Sequence, residues 1–357
     1  MYESLRSVLY ISYPMLPVTD ASCGGAEQML WSVEREMHAR GWETSVAACE
    51  GSRISGRVFP TGRAPVALDR FDERREQHHD AILQTLRFQD FDLLHDKSGH
   101  FWKFAREVDA PVLVTLHLPR SFYSEELFRE LPANVFFNCV SQSQARSFTD
   151  IPRMVGVVQN GVAIDRLQFT NEKQDYLLWL GRICPEKGTH LAIEAAQRSG
   201  TPLIIAGAVY PFSYHQQYFE REVQPRIEQS KGNVVYVETP TFEQKANLLR
   251  NARALIQPTL APETSSLVAM EAMACGTPVI ALNTGALPEV VVHGETGFLV
   301  RSMSALIAAI HDVDHIWPSA CRSHVEAHFS SGRMADDYED LYELVMQESN
   351  LSRTLAA

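Results

Sequence analysis

Short apolar runs alternate with amphipathic stretches along almost the whole chain, and that alternation restricts the fold more than any other feature. In the first half, Val8 to Tyr13, Thr44 to Ala48, Phe91 to His95, Val112 to His117, Val135 to Val140 and Val155 to Gln159 read as strands. Between them Ala26 to Arg40, Asp69 to Gln89 and Phe101 to Glu107 read as helices, with a further short helix from Ser141. The second half repeats the grammar. Strands are expected at Tyr176 to Leu180, Leu203 to Ala206, Val234 to Val237, Ala254 to Ile256 and Val279 to Ala281. The intervening helices are Thr189 to Arg198, Phe212 to Ser230 (kinked or split by Pro225), Phe242 to Asn251 and Ser265 to Cys275. Strand and helix at this spacing predict an α/β chain with two parallel sheets, each covered by helices on both faces. A length of 357 residues fits two domains. The expected boundaries are 1–165 and 175–320, joined by the polar Thr170 to Asp175 stretch, with a helical tail over 321–357. Two doubly wound domains facing each other leave a cleft, and ligands of such sheets gather at the carboxyl ends of the strands.

Composition narrows the function classes. The net charge of −12 argues against general nucleic-acid binding, which needs a basic footprint. Six cysteines (Cys23, Cys49, Cys139, Cys184, Cys275, Cys321) form no C-x-x-C pair and read as small core residues in a reducing compartment. Arg6 interrupts the start, so no signal peptide is expected, and no apolar run reaches the ~18 residues needed to span a bilayer. A cytoplasmic location follows as an expectation, with peripheral membrane contact and oligomeric state left open.

The stretch from Pro262 to Ile280 is the most pointed. Glu263 and Glu271 lie eight positions apart, and Glu271 is the only charge from Leu267 to Ile280. Leu267, Met270, Glu271 and Ala274 share one helical stripe. A lone carboxylate there costs several kcal/mol unless something satisfies it, with roughly that magnitude expected for a buried unpaired charge. Two readings stand side by side: a buried acid bonded to backbone or to an Arg, or a carboxylate held for a ligand. Thr264, Ser265 and Ser266 precede the helix, where free N–H groups make an anion site. A diphosphate there leaves Glu263 for a sugar and Glu271 for a ribose, whose vicinal hydroxyls donate well to carboxylates.

The segment Gly181-Arg182-Ile183-Cys184-Pro185-Glu186-Lys187-Gly188 follows a strand and precedes a helix. Arg182 and Lys187 at a strand's carboxyl end, beside a helix start, suit a pyrophosphate. The alternative is a surface loop with an ion pair from Glu186 to Arg182 or Lys187.

The ordered set of these pieces resembles a retaining glycosyltransferase of family 4. Gly24-Gly25-Ala26-Glu27 is similar to the family's N-terminal glycine loop, and Phe91 to His95 and Val114 to His117 to its strand ends. Val140 to Ser143 and Gln159 to Val162 resemble the approach to the linker, and Leu180 to Gly188 the phosphate loop. Glu263 to Glu271 matches the Glu-x7-Glu signature, which Ala272 to Val279 continues; Gly285, Glu289, Gly294 and Gly297 to Val300 resemble the segment after it. The resemblance implies the two-domain GT-B fold, with the C-terminal helices packing back on the first domain. It implies transfer of a hexose from a nucleotide-diphosphate sugar, UDP-linked ahead of GDP-mannose, to a glycan, lipid or small-molecule acceptor. Anomeric configuration would be retained, with no metal and no other cofactor. It assigns Arg182 and Lys187 to the diphosphate and Glu271 to the ribose. Glu263 and His117 fall to the transferred sugar, and Gly24 and Gly25 to close backbone approach. Thr264, Ser265, Ser266 and Leu267 complete the donor contacts. Two departures are visible: Thr264-Ser265-Ser266 stands where relatives often carry Phe-Gly, and Gly41-Trp42-Glu43 where they often carry Gly-His-Glu.

His95, Asp96, Lys97 and His100 form a polar cluster after a strand and are expected on the acceptor side, against the simpler reading of a solvated loop. His78-His79 sit in a charged helical run without Cys or carboxylate at ligand spacing, so no metal site is expected. Among other classes, a dinucleotide-dependent oxidoreductase lacks its G-x-G-x-x-G. A related nucleotide-sugar hydrolase or epimerase, or a phosphorylase, would share several of these residues.

Overall fold

The computed structural model describes residues 6–22, 24–64 and 71–356. Cys23 and the first two residues of the helix expected from Asp69 lie outside them. The chain divides into two compact units, Met1–Gly161 with Ser331–Ala357, and Val162–Ser330.

The first unit holds a seven-stranded sheet of β1 (Ser7–Ile11), β2 (Glu43–Ala48), β3 (Arg57–Pro60), β4 (Leu93–Asp96), β5 (Val112–Leu116), β6 (Val135–Cys139) and β7 (Met154–Val157). The order is β3-β2-β1-β4-β5-β6-β7, parallel throughout. Apart from Ser7 at the start of β1, the strands β1, β5 and β6 are buried throughout, as their apolar runs require. β3 was not expected from the sequence. It is short and only half-buried, and it ends in Pro60; it survives because it is an edge strand, where a missing N–H leaves no ladder bond unmade. The Phe101–Glu107 helix is a 3-10 helix, and the helix after Ser141 is a single turn capped by the Ser141 side chain on the Gln144 N–H.

The tail helix Ser331–Ala356 belongs to this unit and buries Tyr338 and Tyr342 completely. Glu339 accepts from the Trp42 indole at 3.0 Å and pairs with Arg40. The tail begins at Ser331, ten residues later than the sequence suggests. The preceding Pro318–His328 helix stays in the second unit because Cys321 and Val325, with Phe329 just beyond it, insert into the core around the Leu267–Ala274 helix.

The second unit has six strands: β8 (Leu177–Leu180), β9 (Leu203–Gly207), β10 (Val234–Glu238), β11 (Ala254–Gln257), β12 (Val279–Leu282) and β13 (Gly297–Val300). Their order is β10-β9-β8-β11-β12-β13, again parallel. β8 shows the two-sided burial directly, with Leu178 in one core and Leu177 and Trp179 in the other. Pro225 does not break its helix. A π-helical turn, Phe219–Val223, separates the Ser213–Tyr218 and Gln224–Gln229 segments and accommodates the residue that brings no N–H.

Both sheets reverse their strand order once, between β1 and β4 and between β8 and β11. At such a switch point the two following loops part to opposite faces and leave a crevice at the strands' carboxyl ends. In the second unit those loops are Gly181–Gly188 and Pro258–Ser266.

Candidate active site

The two loops of the second unit are stitched together by backbone. Leu260 N–H donates to the Glu186 carbonyl at 2.8 Å, and the Trp179 indole donates to the Lys187 carbonyl at 3.3 Å. Pro185 starts a 3-10 turn over Pro185–Lys187, which ends at Gly188 in the left-handed region (φ 66°). A Cβ on Gly188 would lie 2.2 Å from the Pro258 carbonyl oxygen, so only glycine lets the loops approach this closely.

This closeness brings Lys187 to Glu263. Lys187 Nζ stands 2.5 Å from Glu263 Oε1, and Thr259 Oγ1 donates to the same oxygen at 3.1 Å. Behind the carboxylate, Gly285 (φ 57°) packs so tightly that a Cβ would meet Glu263 N at 2.4 Å, and Ala286 N–H donates to the Glu263 carbonyl at 2.8 Å. Glu263 is thus held from both its backbone and its side chain. Arg182 lies in the same loop as Lys187 but is exposed, its guanidinium 5.6 Å from the Tyr210 ring centroid. The structure joins Lys187 to the second loop and leaves Arg182 beside it on the aromatic Tyr210.

The apolar helix runs Leu267–Ala274 with Ser266 as its N-cap residue. Ser266 is buried and its hydroxyl is spent on Gln257, at 2.9 Å from Nε2 and 3.0 Å from Oε1. Ser265 Oγ, in contrast, has no hydrogen-bond partner among the described residues. Thr264 and Leu267 are half-buried at the same helix start. An N–H-rich helix tip, an unengaged hydroxyl and an ammonium paired with Glu263 on the adjoining loop thus lie close together, and these are the group types that bind anions.

Glu271 is buried, and its partner is Lys245, with Nζ 2.6 Å from Oε1. The partner is therefore a lysine, where the sequence pointed to backbone, an Arg or a ligand. A signal existed: Lys245 shares a stripe with Phe242, Ala246 and Leu249, so it too is a lone charge on an apolar helix face. The ion pair satisfies Glu271 within the chain, so a ribose role for it now rests on the family resemblance alone. Gln257 and Thr259, directly after or at the end of β11, were also unforeseen.

In the first unit, His95 and Asp96 depart from expectation. Both are completely buried. His95 bonds Tyr342 OH through Nδ1 (2.6 Å) and Thr115 Oγ1 through Nε2 (2.7 Å). Asp96 accepts from the Ser98, Gly99 and Trp102 N–H groups and from Ser98 Oγ. The His95 ring ties β4 to β5 and to the tail helix, whereas the Asp96 carboxylate fastens the turn that follows β4. These two are internal fasteners rather than acceptor contacts. His100 differs: it is half-buried, with its ring edge-on to Tyr13 at 6.4 Å. A Cβ on Gly24 would lie 2.1 Å from Glu27 Oε2, so a side chain there would displace the Glu27 carboxylate, while Gly25 opens the Gly25–Ala39 helix at the surface. His117 directly follows β5; burial and the nearby Lys97 charge push its imidazole down to about 3, so it is neutral at pH 7. Among the described residues no helix is long and apolar enough to cross a membrane.

Comparison with known proteins agrees with this fold. Residues 163–318 match the family model of glycosyl transferases group 1. The YtcC protein of Bacillus subtilis, a glycosyltransferase by its name, is 22% identical over 92% of this chain and 89% of its own length. Among solved structures, sucrose-phosphate synthase from Thermosynechococcus elongatus superposes with a TM-score of 0.79 at 20% identity, covering 96% of this chain and 99% of that one. Anabaena HepE in complex with UDP-glucose superposes with a TM-score of 0.73 at 16% identity, over 94% and 99%. At such identities the structural likeness is one of fold. The family match, the full-length relative and the six- and seven-stranded parallel sheets lead to one conclusion: the second unit carries the match to glycosyl transferases group 1, and the chain is a glycosyltransferase of GT-B fold that takes its sugar from a nucleotide-sugar donor.

Proposed function

We propose that the protein is a retaining hexosyltransferase whose donor is a nucleotide-diphosphate hexose, UDP-linked in preference to GDP-linked. The diphosphate is bound between Lys187 and the Ser265 end of the Leu267–Ala274 helix. The observation that carries this reading is the 2.5 Å contact between Lys187 and Glu263, which joins the two loops at the switch point. Neither side chain is fully buried, at 29% and 12% exposure, so both can exchange partners. When donor enters, the ammonium turns to the diphosphate and the carboxylate to sugar hydroxyls, and each keeps a charge-assisted bond. The UDP-glucose bound to HepE favours uridine as the first nucleotide to test.

The main catalytic task is to stabilise the departing nucleotide diphosphate. Lys187 supplies a full charge there, and Arg182 a second once its guanidinium leaves the Tyr210 ring. The helix start adds N–H groups, and Ser265 its hydroxyl. Glu271, oriented by Lys245, is proposed to accept from the ribose. In the first unit, Gly25 and neutral His117 are proposed to contribute to turnover, His117 as a hydrogen-bonding group rather than a cation. His100 remains the proposed acceptor-side residue. No metal is required on the diphosphate in this scheme.

A thermal-shift panel of UDP, GDP, ADP and their sugars, followed by mass spectrometry of turnover products, tests the reading. The expected result is stabilisation by uridine compounds and a hexose-mass increment on an acceptor. Free hexose alone as product would favour a nucleotide-sugar hydrolase, and no shift with any nucleotide would remove the donor site.

A further inference from the structure

Cys184, Glu186 and His215 bring one thiol sulfur, one carboxylate oxygen and one ring nitrogen within 4.8 Å of one another. Cys184 and Glu186 flank Pro185 in the loop after β8, and His215 lies in the Ser213–Tyr218 helix, 29 residues beyond Glu186. His215 is completely buried, and among the described residues neither of its ring nitrogens has a hydrogen-bond partner. Its ring is enclosed by Phe212 and Tyr214, at centroid distances of 5.2 and 4.2 Å. Glu186 Oε2 is likewise buried without a partner. A completely buried imidazole with both nitrogens unmet is costly, because the ring loses water and regains nothing, and the half-buried Glu186 keeps one oxygen uncommitted beside it.

We propose that these three residues form a zinc site. Zinc accepts sulfur, nitrogen and oxygen together, and a thiolate, a carboxylate and an imidazole leave the 2+ ion neutral. Three protein ligands leave the fourth tetrahedral position to water. On binding, the Cys184 S–H bond is replaced by S–Zn and its proton passes to solvent; no electron transfer is involved. The metal ties the loop to the Ser213–Tyr218 helix one residue before Lys187, and so fixes the backbone from which that lysine extends. The site stands on this geometry whether or not the donor reading holds.

The test is metal binding, with no assay of turnover. The purified full-length protein, stripped by chelator and dialysed, is titrated with Zn²⁺ against a chromophoric chelator. One ion per chain is expected. Cys184→Ser and His215→Ala should each weaken binding by about 100-fold or more, and Glu186→Gln by about tenfold, since each removes a direct ligand. Loading the unaltered protein with Co²⁺ gives a readout that does not depend on any variant folding. A sulfur-to-cobalt charge-transfer band together with tetrahedral d–d absorption is expected, and the band should vanish in Cys184→Ser. Failure to retain zinc, binding unchanged in all three variants, or a cobalt spectrum without a sulfur band would each overturn the proposal.

Discussion

Lys245 and Glu271 are each the single charge on an otherwise apolar helical stripe, and their side chains meet at 2.6 Å in the interior of the second unit. Removing one partner strands the other. Lys245→Met is expected to destabilise the unit by about 3–5 kcal/mol in urea denaturation, whereas Lys245→Met with Glu271→Leu should regain most of that loss. If the single change proves as stable as the unaltered protein, Glu271 has another partner in solution. Glu271→Gln, measured by nucleotide affinity, separates the two roles, since a purely internal ion pair would leave the dissociation constant where it was.

Lys187 carries the proposed stabilisation of the leaving group. Lys187→Ala should lower turnover by about 10²–10³-fold, the range seen when one preorganised donor at a developing negative charge is removed. The melting temperature should change little, because the side chain is part-exposed and its loop is held by backbone bonds. A near-normal rate would take Lys187 out of the diphosphate site.

Gly285 acts on Glu263 through backbone alone. Gly285→Ala adds a Cβ 2.4 Å from Glu263 N at a residue with φ 57°, so the 262–264 backbone has to move. The left-handed conformation itself costs about 1–2 kcal/mol for alanine. The expected outcome is a modest stability loss and a drop in kcat/KM of more than about tenfold, since misplacing a reacting group by about 1 Å can cost far more than its contacts suggest. Unchanged kinetics would show that the position of Glu263 does not matter.

The first unit should be acid-labile. Burial pushes His78 and His117 down to about 3 and His79 and His100 to about 4, and His95 well below the usual range. Above pH 6.5 these imidazoles are neutral both folded and unfolded, and their contribution to stability is full. As pH falls from 6.5 towards 4, the unfolded chain takes up protons that the folded unit refuses. Stability then falls by at most about 1.4 kcal/mol per pH unit per histidine. Buried Glu27 and Asp96, whose carboxyls burial pushes up, work in the opposite direction and offset part of this. Urea midpoints at pH 7.5 and 5 should differ clearly; equal midpoints would mean that these rings are hydrated.

The residues that carry the site were legible as types and spacings. The strand–helix alternation, the Arg182-to-Lys187 loop and the Glu263–Glu271 spacing follow from local grammar. That grammar depends on what each short segment must bury or leave unbonded. Less could be read where a short segment had no pattern of its own. β3, with four half-exposed residues ending in proline, is a strand only because β2 offers it an edge.

Partnership was decided by tertiary structure. The sequence alone determined that Glu271 needs a partner and that Lys187 belongs to an anion loop. Only the strand order β10-β9-β8-β11-β12-β13 put the loop after β8 against the loop after β11, and so Lys187 against Glu263, 76 residues away. Likewise only the return of the Ser331–Ala356 helix buried His95 behind Tyr338 and Tyr342. The physical reason is the same in each case. Local propensity acts over a turn or a strand, whereas the choice of partner for a buried polar group depends on which distant segment excludes its water.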